Sequence, residues 1–229
     1  EGTSITAGKF LSYMGWETPE PTGLYQYSYA YGTTIPGYHN GVSIDFSDDW
    51  GSLGLALVDS VYDDDGSINS EDDDFDMGIE TKLVLTPADG WTVFLGYAVD
   101  SAAAGMQDRE LLNLWGSYEF GASTIAAEYN VYSDGYRDID QWLLMYSVAV
   151  GDKGTFTARV SNDKRDYTSL AASRMVGSGQ RVDEDTKYTV AYIHAVNDNL
   201  ALVSEVSQVD MGTWRGDATE FALEALFTF

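Results

Sequence analysis

The chain ends in the stretch DATEFALEALFTF, Asp217–Phe229, which decides the fold because its residue character changes at every step. Successive side chains of a β-strand point to opposite sides, so an extended stretch has two faces. One face then holds Thr219, Phe221, Leu223, Ala225, Phe227 and Phe229, and the other holds Ala218, Glu220, Ala222, Glu224 and Leu226. The pattern therefore predicts a strand with one apolar face and one face that carries carboxylates.

The same period of two recurs along most of the chain, whereas the spacing of an amphipathic helix is rare. The middle of the sequence shows it again at Trp142, Leu144, Tyr146, Val148 and Val150. We predict about twelve strands, at 3–12, 39–48, 52–62, 76–86, 91–101, 109–120, 122–133, 138–150, 154–163, 186–197, 199–210 and 217–229.

The predicted connectors alternate in length. Short ones lie at 49–51, 87–90, 121, 151–153 and 198, and long ones lie at 13–38, 63–75, 102–108, 134–137, 164–185 and 211–216. Tight turns at one end of a sheet and longer loops at the other are typical of a transmembrane β-barrel, whereas Greek-key sandwiches lack this regular alternation. We therefore predict an all-β fold, in which a single domain over 1–229 forms a transmembrane, antiparallel up-and-down β-barrel.

The composition excludes several classes of protein. Twelve Lys and Arg against 37 Asp and Glu give a net charge of −25, so nucleic acid, whose phosphates need basic partners, is not expected as a partner. Cysteine is absent, which excludes disulfides, thiolate zinc sites and a cysteine nucleophile. The longest apolar run, Trp142–Tyr146, is far shorter than the ~18 residues of a membrane-spanning helix.

The chain ends on an aromatic residue of an amphipathic strand. The shared apolar face of Phe221, Leu223, Phe227 and Phe229 resembles the terminal signature by which bacterial outer-membrane barrels are recognised for assembly. The resemblance implies a location in the bacterial outer membrane, with its lipid and the barrel-assembly machinery as partners. Aromatic residues near strand ends fit interfacial girdles. They are Trp50, Trp91, Tyr118, Tyr132, Trp142, Tyr188 and Trp214.

Two motifs near the start of the chain carry a family resemblance. They read ITAGKFLSYMGWE at Ile5–Glu17 and IPGYHNGVSIDF at Ile35–Phe46. A Gly-Lys-Phe strand, a Gly-x-Glu turn and a Pro-x-x-x-x-Gly strand resemble the outer-membrane putative β-barrel porin-2 family. The matching residues are Gly8, Lys9, Phe10, Gly15, Glu17, Pro36 and Gly41. The resemblance implies a porin-like channel and, because the motif follows earlier strands in that family, further strands N-terminal to this chain.

The strand faces opposite the apolar ones would line the barrel interior. They carry four basic and seven acidic residues: Lys9, Asp45, Glu80, Lys82, Glu119, Glu128, Arg159, Lys187, Glu205, Glu220 and Glu224. Because rings of carboxylates favour cations, we expect a narrow pore for small hydrophilic solutes and ions with a mild cation preference. The alternative is a structural or surface-binding barrel without an open pore, in which the basic residues pair with carboxylates. The sequence leaves open whether the barrel forms a homotrimer.

The second long loop is strongly acidic. Its Asp63, Asp65, Asp72 and Asp74 offer the oxygen ligands that Ca²⁺ or Mg²⁺ prefers. The spacing is not that of an EF-hand, and a solvated loop that faces outward is the favoured interpretation. We expect no cofactor apart from such a loop cation.

The first long loop contains four alternating tyrosines, Tyr25, Tyr27, Tyr29 and Tyr31. They would form a constriction, or an aromatic track that stacks on sugars as they enter. The alternative is an extended segment that packs on the barrel wall or on a neighbouring subunit.

We expect no enzymatic activity. The chain has only two histidines, His39 and His194, and no G-x-S-x-G elbow, so a Ser-His hydrolase has no recognisable site. A soluble carbohydrate-binding β protein would also account for the aromatic residues and the acidity. It would not account for apolar stripes on nearly every strand, so a porin fits the sequence best.

Overall fold

The computed structural model describes residues 2–17, 19–31, 34–62, 77–101, 108–212 and 216–228. In these ranges twelve antiparallel strands form one sheet, and each strand pairs with the next one along the chain. The predicted all-β, up-and-down architecture is therefore confirmed. The strands are β1 (Gly2–Leu11), β2 (Tyr38–Asp48), β3 (Gly51–Val58), β4 (Gly78–Leu85), β5 (Trp91–Asp100), β6 (Arg109–Phe120), β7 (Ser123–Ser133), β8 (Arg137–Val150), β9 (Gly154–Tyr167), β10 (Val182–Asn197), β11 (Leu200–Asp210) and β12 (Asp217–Phe227).

Tight turns join the strands at one end of the sheet. The β6–β7 ladder closes at the pair Phe120↔Ser123, and the β8–β9 ladder closes at Val150↔Gly154. Gly121 has a φ of 59°, a left-handed conformation that glycine adopts without a Cβ clash. The longer connectors lie at the other end, as predicted, with one correction: the β7–β8 connector at that end has only three residues, 134–136, because β8 already begins at Arg137.

The described parts of the connectors contain two short helices. A 3₁₀ helix spans Pro21–Gly23 and α1 spans Leu170–Met175. In the described residues, no helix has the length and apolar character to cross a membrane.

Each strand has one face turned outward and one turned to the barrel interior. On β3, Leu53, Leu55 and Leu57 are 43–49% exposed, whereas Ala56 and Val58 are buried. Because lipid tails are as apolar as leucine, such a face is stable in a bilayer without a protein partner. The outer face is therefore the lipid-facing one.

A charge on the lipid face should destabilise the barrel. Leu144 lies midway along β8 on the outer face, so we expect Leu144→Arg to lower the free energy of unfolding by about 2–4 kcal/mol, the cost of arginine at the bilayer midplane. Urea titration of the protein folded in lipid vesicles measures this change. The control Asp152→Arg, in the turn between β8 and β9, should leave stability unchanged. Equal losses in both variants would contradict the assignment of the faces.

Aromatic side chains mark both rims of the outer face. At the turn end, Tyr118 stacks on Trp91 and Phe120, with ring centroids 4.6 Å and 5.3 Å away. At the loop end, the Tyr129 hydroxyl donates to Asp140 at 2.8 Å. Amphipathic rings of this kind suit the membrane–water interface.

One residue expected in these girdles lies elsewhere. Tyr132 faces the interior, is buried, and makes an edge contact with Tyr62 at a centroid distance of 5.5 Å. The even-numbered residues of β7 from Ala126 onward face the interior, and Tyr132 is one of them. Trp214 lies outside the described residues.

The strands β1 and β12 are the outer strands of the sheet, and no ladder joins them in the described residues. On β12, Phe221, Leu223 and Phe227 share the outer face and are strongly exposed. Phe229, the last member of the predicted assembly signature, lies outside the described residues. Recognition of this strand by the barrel-assembly machinery stays a prediction.

The strands β9 and β10 are longer than predicted. The sequence pattern ended β9 at 163 and began β10 at 186, whereas the ladder continues to the pair Val182↔Asp166. Apart from Tyr167 and Val182, the added residues are charged on both faces, so alternation gives no signal there. On the inner face of this extension, Arg165 lies 3.4 Å from Asp185.

Candidate functional site

The described residues of the connector between β1 and β2, at 12–17, 19–31 and 34–37, fold into the barrel; we call them the inner loop. Its two ends meet where the Ser12 amide donates to the Gly37 carbonyl at 2.8 Å. Met14 is buried in the interior core, and Ile35 packs against the same cluster. Burial of these apolar side chains favours a loop that turns inward rather than into solvent.

The first residues of the inner loop, which we call its root, are bound by a carboxylate of the barrel wall, the twelve-stranded sheet. Glu80 of β4 is fully buried and accepts hydrogen bonds from the Ser12 hydroxyl at 2.6 Å and from the Tyr13 amide at 3.0 Å. Next along the loop, the Gly15 amide donates to Asn113 Oδ1 on β6 at 2.9 Å. Hydrogen bonds to a charged acceptor are stronger than neutral ones, so the root is firmly positioned.

A second wall carboxylate holds the next part of the loop. Glu128 of β7 accepts from the Trp16 amide at 3.0 Å and from Asn113 Nδ2 at 2.6 Å. The Trp16 ring stacks on Tyr25 and makes an edge contact with Trp115, with centroids 5.9 Å and 5.2 Å away. This point of the loop is therefore fixed by both hydrogen bonds and aromatic packing.

The tip of the inner loop is held by a third wall carboxylate, on β11. Glu205 accepts from the amides of Tyr27 and Ser28 at 2.8 Å and 2.9 Å, and from the Ser28 hydroxyl at 2.5 Å. The Ser207 hydroxyl also donates to it, at 2.9 Å. Four donors on one carboxylate fix the position of the tip.

Arg159 of β9 also binds the tip of the inner loop. The buried Arg159 guanidinium forms an ion pair with Glu17 and donates to the Ser28 carbonyl at 2.8 Å. Glu17 in turn accepts from Gln26 at 2.6 Å and from the Ala30 amide at 2.7 Å. Two distant parts of the loop are thus tied to each other and to the wall.

The loop returns to β2 along β8. The Thr34 hydroxyl donates to Gln141 at 2.5 Å, and the Tyr62 hydroxyl donates to the Thr34 carbonyl at 3.3 Å. The wall residues that bind the loop, its anchors, therefore range from β4 to β11. The inner loop thus crosses the barrel interior and narrows it.

The four tyrosines of the inner loop divide into two pairs. Tyr25 packs on Trp16, and Tyr31 packs against the buried interior cluster that contains Leu143. Burial, with the negative charges of Glu128 and Glu17, raises the pKa of Tyr31 well above its usual range, so it stays neutral. Tyr27 and Tyr29, in contrast, are 47% and 42% exposed.

The structure places all but one of the predicted lumen charges on the inner face. Four of them, Glu80, Glu128, Arg159 and Glu205, bind the inner loop as described above. The alternation along β2, β4, β6, β10, β11 and β12 turns the other six inward, namely Asp45, Lys82, Glu119, Lys187, Glu220 and Glu224.

Two of these remaining charges on β2 and β4 neutralise each other. Lys82 Nζ lies 2.7 Å from Asp45 and 4.1 Å from the centroid of the Tyr13 ring. Lys187 is likewise paired with Glu220, at 3.2 Å.

Lys9 is the exception, and its assignment to the lumen is corrected. Phe10 occupies the inner position of β1, where its ring meets buried His39 at a centroid distance of 4.9 Å. Neighbouring residues of a strand point to opposite sides, so Lys9 faces outward. There its ammonium lies 5.7 Å from the centroid of the Tyr38 ring.

The predicted loop cation site stays a prediction. Asp63, Asp65, Asp72 and Asp74 all lie outside the described residues. Within the part of the chain that the structure describes, no cluster of three or more His, Asp or Glu side chains could hold a metal ion.

The alternating turns and loops, the lipid-facing apolar face and the loop held inside define the class of outer-membrane β-barrels that includes the porins. The chain belongs to the family described as putative beta-barrel porin-2, OmpL-like, which matches residues 1–156. The resemblance carried by the two N-terminal motifs is confirmed, and the protein is located in the bacterial outer membrane, where its outer face contacts lipid. No curated protein matches the sequence.

Solved structures of outer-membrane proteins share the fold. OmpTdeltaL8, a loop L8 deletion mutant of OmpT from Vibrio cholerae, has a TM-score of 0.67 at 14% identity, over 97% of this chain and 74% of that one. The trimer form of in-vitro folded OmpT has a TM-score of 0.57 at 14% identity, over 98% of this chain and 72% of that one. An anion-selective porin from Comamonas acidovorans gives 0.57 at 15%, over 84% of this chain and only 56% of that one. At these identities the likeness concerns the fold alone.

Proposed function

We propose that the protein is a diffusion porin that passes small hydrophilic solutes and ions through a water-filled passage narrowed by the inner loop. The observation that carries the proposal is the position of the loop, which is anchored from β4 to β11 and leaves Tyr27 and Tyr29 exposed. The inner side chain of Glu220 on the neighbouring β12 is also 57% exposed. A passage between the loop tip and β12 accounts for both exposures.

A mild cation preference is the second part of the proposal. The carboxylates of Glu80, Glu128 and Glu205 are turned to backbone amides of the loop, so they contribute little to the charge that a passing ion meets. Glu119 and Glu224 remain on the inner face. The lysines of this face are paired with other carboxylates, Lys82 with Asp45 and Lys187 with Glu220. A passage lined in this way favours cations.

The channel is proposed to be non-enzymatic. His39 is buried against Phe10 and 3.7 Å from Glu80, and among the described residues neither of its ring nitrogens has a hydrogen-bond partner. His194 faces outward next to Tyr192. Neither arrangement resembles a serine held beside a general base.

Two partners belong to the proposal as well. One is the chain itself, as a homotrimer, because one of the solved structures that share the fold is a trimer form. The other is the barrel-assembly machinery, which would recognise the apolar face of β12. Cross-linking in detergent and in vesicles tests the trimer, and a monomer in both would contradict it.

Conductance in a planar bilayer under a KCl gradient tests the channel and its ion preference together. We expect discrete steps with a reversal potential that favours K⁺, and Glu224→Lys should shift this potential towards Cl⁻. Asp217→Lys makes the same charge change on the outer face of β12 and should have a smaller effect. Steps that favour Cl⁻ in the unmodified protein would overturn the cation preference. No steps from folded, inserted protein would overturn the open channel in favour of a structural barrel.

A further inference from the structure

We propose that the tip of the inner loop and the inner face of β12 form a binding subsite for small organic cations, solutes that carry an ammonium group. The inference rests on the proposed function, because the subsite would lie in the passage of the porin. It names a class of solute that the channel retains briefly during passage.

The first support is a fixed aromatic surface. Tyr27 and Tyr29 flank Ser28, whose amide and hydroxyl are bound to Glu205 at 2.9 Å and 2.5 Å. The Tyr29 hydroxyl donates to the Pro19 carbonyl at 2.7 Å, which holds the ring in position. Both rings are exposed although the backbone that carries them is firmly anchored. Such preorganised rings lose little conformational entropy when a ligand binds.

The second support is the sign of the charge around these rings. Burial raises the pKa of Tyr29, and the negative charges of Glu17, Glu20 and Glu224 raise it further. Two of these carboxylates belong to the loop, and Glu224 lies on the inner face of β12, whose residue Ala222 pairs with Glu205 of β11, the residue that binds the loop tip.

The basic side chains of the neighbouring strands are already engaged. Arg159 on β9 is bound to Glu17 and to the Ser28 carbonyl. Lys187 on β10 is paired with Glu220 at 3.2 Å. The field at the exposed rings therefore favours a positively charged ligand.

The chemistry of this arrangement suits an ammonium group. A cation over the face of a tyrosine ring is attracted by the electrons of that face, and carboxylates nearby add to the attraction. An anionic solute would be repelled. A neutral sugar could stack on the rings and donate to a carboxylate, but it would gain nothing from the negative field, so sugars are the competitors to be tested.

The test is single-channel block with choline chloride as the probe and maltose as the neutral comparison. We expect choline to interrupt the KCl current and maltose to do so much less. Tyr27→Ala/Tyr29→Ala should shorten the mean time of block by choline roughly five- to thirtyfold, the loss expected for two exposed cation–π contacts. Glu224→Gln should shorten it as well.

Two matched variants isolate the rings. Tyr27→Phe/Tyr29→Phe keeps both ring faces and should retain most of the choline block. Tyr188→Ala/Tyr192→Ala removes two tyrosines from the outer face of β10 and should leave the block unchanged.

The outcomes separate this inference from the proposed function. KCl steps without choline block, or block that the tyrosine variants do not alter, would overturn the subsite and leave the porin intact. Block by maltose that exceeds block by choline and depends on the same tyrosines would replace the organic cation by a sugar. No KCl steps from folded, inserted protein would overturn the proposed function and the subsite with it.

Discussion

Arg159→Met should lower the free energy of unfolding by about 3–5 kcal/mol, the range expected when one partner of a buried ion pair is removed. The Arg159 side chain is fully buried and is bound to Glu17 and to the Ser28 carbonyl. Without the guanidinium, the Glu17 carboxylate loses its ion-pair partner in a site shielded from water and retains the hydrogen bonds from Gln26 and the Ala30 amide. Urea titration of the protein folded in vesicles measures the loss.

Two further variants show whether the loss comes from the unpaired charge. Arg159→Met/Glu17→Gln should be more stable than Arg159→Met alone, because no buried charge is left without a partner. Lys164→Met breaks a surface pair with Asp166, in which both side chains are about 40% exposed, and should leave unfolding unchanged. If Arg159→Met is as mild as Lys164→Met, the ion pair does not hold the tip, and apolar packing alone positions the loop.

The strands could be predicted from the sequence because a barrel wall separates lipid from the interior at every residue. On β3, for example, exposed Leu53, Leu55 and Leu57 alternate with Gly54 and Ala56, so side-chain character records which side each residue faces. The same reasoning fails where both sides are alike. The extensions of β9 and β10 are mostly charged on both faces, and their ends were missed for that reason.

Lys9 shows the same limit at the edge of the sheet. Gly2–Lys9 is exposed along its whole length, so alternation marks the two faces of β1 weakly. The packing of Phe10 on His39, a contact with the next strand, determines which residues of β1 face the interior. Such a contact depends on the register of the ladder, which is not visible in the pattern of a single strand.

The position of the inner loop could not be derived, because its anchors are mostly backbone amides. Glu80, Glu128 and Glu205 each accept from main-chain N–H groups of the loop, and every residue except proline carries such a group. No side-chain pattern therefore reveals the partners of these carboxylates. The available signal was apolar character in a connector, since Met14 and Leu24 are both buried.

These anchors change how charge in the barrel should be interpreted. A count of inward carboxylates treats each one as available to a passing ion. The three wall carboxylates that hold the loop are instead turned to main-chain donors, so in the proposed channel their main effect would be on the width of the passage. In the proposed channel, the ion preference would depend on the acidic groups that still face the passage, among them Glu224, whose charge contributes to the raised pKa of Tyr29.

Removing the tip of the inner loop should raise the single-channel conductance several-fold. Glu17 accepts from the Ala30 amide at 2.7 Å, so the two ends of the tip are close in space and two glycines can replace residues 19–29. The shortened loop keeps its root on Glu80 and Glu128 but loses every contact with Glu205. The barrel wall should then set the width of the passage, and planar-bilayer recording in symmetric KCl measures the change.

The matched control shortens a loop at the rim. The Tyr167 amide donates to the Arg181 carbonyl at 2.7 Å, so the ends of the connector that carries α1 are also close in space. Replacing residues 169–179 by two glycines removes the same length of chain without touching the anchors of the inner loop, and should change the conductance little. If both deletions raise the conductance equally, the restriction lies at the mouth of the barrel. If neither does, the inner loop does not limit the current, and the narrowest point must be sought in the wall itself.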